Sequence, residues 1–144
     1  MQHQATVAWL RFATALVIAS GLFCLSGALP ATSAATLYAL DLVFWPLDGT
    51  PGEMTPQANV LWAISGGLVA GWGILIWQVV THVYVSNPSV GRSMILTSVV
   101  TWFVLDSAGS VAAGAPMNAL FNVGFLALYA VPLLRPVREA PGTA

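Results

Sequence analysis

Residues 93–112 read SMILTSVVTWFVLDSAGSVA, a run of membrane-spanning length interrupted by one ionisable side chain, Asp106. About 20 mostly apolar residues suffice for a helix to cross a bilayer. An aspartate near the middle of such a helix costs about 2.5–3.5 kcal/mol on insertion scales, so it calls for a partner or a task. A turn at Gly114 separates this run from residues 117–134, MNALFNVGFLALYAVPLL. In the hairpin so formed, residues equidistant from the turn lie at equal depth, which levels Asp106 with Asn122 and Ser110 with Asn118. Helical spacing puts Asn118, Asn122, Phe125 and Tyr129 on one face, and Asp106 with Ser110 on one face of the preceding helix.

Asp106, Ser110, Asn118 and Asn122 are therefore the candidate binding residues, with Trp102 and Phe103 beside them. Ser20 or Cys24 and Ser65 should reach a similar depth from the first two spans. The competing reading is a hydrogen-bond clamp, in which the amides hold the carboxylate and merely fix the hairpin. Thr97 and Thr101 project from nearly the opposite face of the helix to Asp106. No polar stripe crosses from side to side, which favours a pocket opening outward over a channel.

Composition agrees with a membrane chain. Of 144 residues, 58% are hydrophobic and only 6% charged, against roughly 25% charged in a soluble domain; mean hydropathy is +0.82. The expected fold is all-α, a polytopic four-helix up-down bundle with spans at residues 7–29, 58–80, 93–112 and 117–134. Residues 1–134 form one transmembrane domain and 135–144 a flexible cytoplasmic tail. The first apolar run exceeds the h-region of a signal peptide, about 7–15 residues, and is read as a helix. Between the first two spans, Thr32 and Ser33 offer N-caps for a short outer interfacial helix at 33–45, stopped by Pro46. Trp45 and Trp62 suit the outer boundary and Trp9 and Trp77 the inner one, which leaves Trp72 and Trp102 deep.

Arginine placement sets the orientation. The chain has no lysine, and Arg11, Arg92, Arg135 and Arg138 fall on one side, so both termini are expected to be cytoplasmic in an inner membrane. The opposite side receives residues 31–57, whose Asp41 and Asp48 would extend the pocket into a cation-attracting vestibule. In the second span Gly67 and Gly71 form a GxxxG pair, read as a close helix contact within the chain or with a second copy.

Several classes are excluded. A net charge of −1 gives no basic surface for nucleic acid. The single cysteine cannot form an internal disulfide or a CxxC motif. His3 and His82 sit near the inner boundary in no ligand spacing, and there is no GxSxG elbow, so no metal, cofactor or catalytic residue is expected. The leading expectation is a non-enzymatic accessory or structural subunit of a membrane complex, lying in the lipid bilayer beside a partner membrane protein or in a homo-oligomer. The alternative is an oligomeric small-molecule or cation binding or transport protein that uses Asp106 in an outward-facing pocket.

Overall fold

The computed structural model describes residues 3–44, 49–50 and 52–134. Its elements are α1 (His3–Ser26), α2 (Ser33–Asp41), α3 (Pro56–Gln78), which runs on into a π-helical segment (Val79–Tyr84), α4 (Pro88–Ala112) and α5 (Pro116–Leu134). Among the described residues there is no strand, and four helical stretches, α1, Pro56–Tyr84, α4 and α5, are long and apolar enough to cross a membrane. The expected tail at 135–144, with Arg135 and Arg138, lies outside the described residues, as do Trp45, Pro46 and Asp48.

Local chemistry explains where the helices begin. Pro56, Pro88 and Pro116 each stand at a helix start, where the missing N–H is no loss and the fixed φ suits the first turn. Thr55 and Asn87 cap α3 and α4 by accepting from the Ala58 and Val90 amides at 3.1 and 3.3 Å. Gly114, at φ +80°, provides the left-handed residue that reverses the chain between α4 and α5.

Two expectations about α2 change. Thr32 precedes the helix but makes no cap; its hydroxyl donates instead to the Ser26 carbonyl at 2.6 Å, where α1 ends, beside the Leu29 N–H that the same carbonyl accepts at 3.2 Å. The helix also stops at Asp41 rather than running to residue 45, and it packs on the turn just after α1 through Thr36, fully buried against Gly27.

The expected close contact through Gly67 and Gly71 is not made within the chain. Both face open space, whereas a Cβ at Gly66 would overlap the Leu25 backbone and one at Gly21 the backbone of Ala70. One residue rotates a helix by about 100°, so the small-residue seam toward α1 is Gly66, Ala70 and Gly73, a phase that spacing alone does not reveal. The second span is longer than expected, because the π-helical segment carries it to Tyr84, whose ring stacks on His3 with centroids 5.5 Å apart.

The core occupies one end of the bundle. Leu10, Ala13 and Val17 of α1 meet Ile76, Val80 and Tyr84, Ile95 and Val99 of α4, and Tyr129 and Leu133 of α5. Pro132 has no N–H to offer the Leu128 carbonyl four residues back. The Trp9 indole N–H fills that vacancy at 2.8 Å and ties α1 to α5. Toward the α2 end the helices part: α1 stays on α3 and α5 on α4, but α4 touches the π-helical segment far more than α3 itself.

Candidate functional site

Parting of the two helix pairs leaves a cavity of about 790 Å³. Ser20 and Cys24 of α1, Trp62, Ser65 and Trp72 of α3, Asp106 and Ser110 of α4, and Asn118 and Asn122 of α5 all border it. Leu40 and Phe44, from α2 and the turn after it, line its mouth. Val17, Val99 and Tyr129 line it too while belonging to the buried core, so the cavity ends on packed side chains and does not continue toward the π-helical segment. Ser65 and Leu105, both exposed, mark an open rim between α3 and α4. Thr97 and Thr101 are exposed on the outer surface of α4.

The structure brings all four candidate binding residues together. The Asn122 side-chain amide donates to Asp106 Oδ2 at 2.5 Å and to Ser107 Oγ at 3.2 Å. Asn118 donates to the same Oδ2 at 3.0 Å and to Ser110 Oγ at 2.8 Å. The pairs that equal depth in the hairpin aligned are thus in contact, and each amide also reaches a second partner, Asn118 one turn away at Asp106 and Asn122 one residue away at Ser107. Asn122 is buried; Asp106, Ser110 and Asn118 are half-buried.

The donors converge on one oxygen. Asp106 Oδ1 accepts no hydrogen bond among the described residues, nor do the side-chain oxygens of Asn118 and Asn122, and none of these atoms is sealed from its surroundings. Asp106 has no cationic partner among the described residues either. Chemically, the arrangement is a fixed carboxylate, held on one side and open on the other. No cluster of three metal-ligating side chains exists among the described residues.

Aromatic side chains build the wall beneath the carboxylate. Trp72 and Trp102 lie with ring centroids 5.5 Å apart, and Trp102 meets Phe125 edge-on at 6.2 Å. The Trp72 indole N–H is bound to Ser98 Oγ at 2.7 Å, and the Tyr129 hydroxyl to Thr14 Oγ1 at 3.2 Å. Of the expected neighbours, Trp102 lines the cavity and Phe103 does not. Asp41 ends α2 without lining it, and Asp48 lies outside the described residues.

Sequence reasoning missed Ser107, one residue beyond Asp106, and the contribution of α2 to the mouth. Ser107 was within reach of a helical-wheel argument once Asn122 was placed opposite Asp106. Compared with known proteins, the chain matches no family model, no curated protein and no solved structure. Function therefore rests on the geometry of this cavity.

Proposed function

We propose that the protein is a multi-pass membrane protein that binds a small molecule in the cavity between its two helix pairs, with Asp106 as the polar ligand. The observation that carries this reading is the half-held carboxylate on the wall of a cavity of about 790 Å³, a size typical of small-molecule sites, about 300–1,000 Å³. A clamp alone explains the bonds to Oδ2. It leaves unexplained why Oδ1 of a cavity-lining aspartate accepts no hydrogen bond among the described residues. In this proposal both termini lie on the cytoplasmic side, following the arginines, and the mouth near α2 faces outward.

Cys24, the single cysteine of the chain, borders the cavity and serves as a native reporter. In folded protein in nanodiscs, N-ethylmaleimide should label Cys24. Gly109→Trp, at a cavity-lining glycine with open space around it, should slow labelling severalfold. Labelling that begins only after denaturation would count against an accessible cavity.

The subunit reading draws on a different surface. Gly67 and Gly71 face outward from α3 with nothing within 4 Å, a close-approach stripe open to a further helix. If that stripe seats another chain, Gly67→Leu and Gly71→Leu should reduce the assembly to a monomer in gentle detergent without lowering its thermal stability.

A further inference from the structure

We infer that the molecule bound in this cavity is a lipophilic organic cation bearing aryl groups, an inference that rests on the cavity being a binding site. Charge is the first argument. Asp106 has no cationic partner among the described residues, and Arg92, on the same helix, is 14 residues away, about 21 Å along the axis. Arg11 belongs to the other half of the bundle, on the α1 stretch that packs against the π-helical segment, and Arg135 and Arg138 follow α5 in sequence. A carboxylate in an apolar setting is tolerated when paired, and here the ligand is the remaining source of positive charge.

Hydrogen-bond balance points the same way. Asp106 Oδ1 and the side-chain oxygens of Asn118 and Asn122 are three acceptors without donors among the described residues. Two of the donors on the lining, the Trp72 N–H and the Tyr129 hydroxyl, are already committed to Ser98 and Thr14. Ring faces are the third argument: Trp72, Trp102 and Phe125 stand together on the wall, and indole faces attract cations through their quadrupole. The rim at Ser65 and Leu105, exposed between the apolar helices α3 and α4, suits a body soluble in the bilayer.

Methyltriphenylphosphonium and triphenylphosphine oxide share a triaryl body and differ in charge, which makes them the appropriate probes. Calorimetric titration of the purified protein in detergent should show the cation binding at least about tenfold more tightly than the oxide, as a charge-assisted contact implies. Asp106→Asn should abolish that preference while leaving the oxide unchanged. Trp102→Leu, which spares the hydrogen-bond network, should weaken the cation more than the oxide, and it provides the check if the Asn variant misfolds. Equal affinity for both probes, or tighter binding of the oxide, would overturn the cation assignment and leave the cavity a binding site. Binding of neither would overturn both readings. A cation preference that survives both substitutions would remove it from this wall altogether.

Discussion

The two ends of the bundle differ in kind. Around the π-helical segment, Leu10, Ala13, Val80, Ile95, Val99 and Tyr129 are almost wholly buried, and several polar groups there close on neighbours: Thr14 on the Leu10 carbonyl, Tyr129 on Thr14, Trp9 on Leu128. His3 Nδ1, Arg11 Nε and Thr81 Oγ1 are buried without a hydrogen-bond partner among the described residues. At the α2 end the helix pairs separate around the cavity, and a carboxylate keeps one oxygen without a hydrogen bond among the described residues. The first end is closed by packing, and its polar groups are buried there whether or not they find a partner. The second keeps polar capacity in reserve, a cost in hydrocarbon that a binding role accounts for.

The seam between α1 and α3 runs through both ends, so damage there should have the largest effect. Gly66→Leu would drive a side chain into the Leu25 backbone, and the loss should be about 3 kcal/mol or more, the upper range of overpacking. Thermal unfolding in detergent measures it. A wild-type midpoint for that variant would mean that the seam is looser than the geometry shows.

Next in size is the reserve end itself. Asp106→Leu leaves the Asn118 and Asn122 amides without their shared acceptor and should cost about 1–3 kcal/mol. Asp106→Asn, whose side-chain oxygen still accepts, should retain most of the stability. Equal midpoints for the two variants would show that the amides find water, and the contrast between the ends would shrink.

A smaller effect tests the dry end. Trp9→Phe removes the donor to the Leu128 carbonyl and should cost about 1 kcal/mol. Pro132→Ala restores a backbone N–H to that carbonyl, so the Trp9→Phe penalty should largely vanish in its background. Additive losses in this double-mutant cycle would break the proposed link between the proline and the indole.

The smallest change is expected at Gly67 and Gly71, which meet nothing within 4 Å. Alanine at either position should be neutral or stabilising by up to about 1 kcal/mol, the helix-propensity difference from glycine. Destabilisation of the isolated monomer would place those glycines against a helix of the same chain.

How far the sequence was legible varied with the kind of question. The pairing of Asp106 with Asn122 and of Ser110 with Asn118 followed from a turn at Gly114 and a constant rise per residue, both local properties. Within the chain, the contact with α1 lies one position away from the Gly67 and Gly71 pair, at Gly66, because spacing identifies a stripe but not the direction it faces. Thr32 was legible as a polar residue at a helix boundary, yet whether it would cap α2 or close α1 depended on where the end of α1 lay.

By itself, the sequence determined the helical class, the span-length apolar runs and the depth of the lone carboxylate. Hydropathy and helical rise are summed along the chain and need no knowledge of neighbours. The tertiary structure alone decided the rest: the rotation that turns Gly66 rather than Gly67 onto α1, the proline-freed carbonyl that recruits Trp9, and the parting of the helix pairs. It also decided that both amides converge on one oxygen of Asp106 and leave the other open. Each depends on contacts between residues distant in sequence, where small rotations of stiff helices exchange one packed face for another.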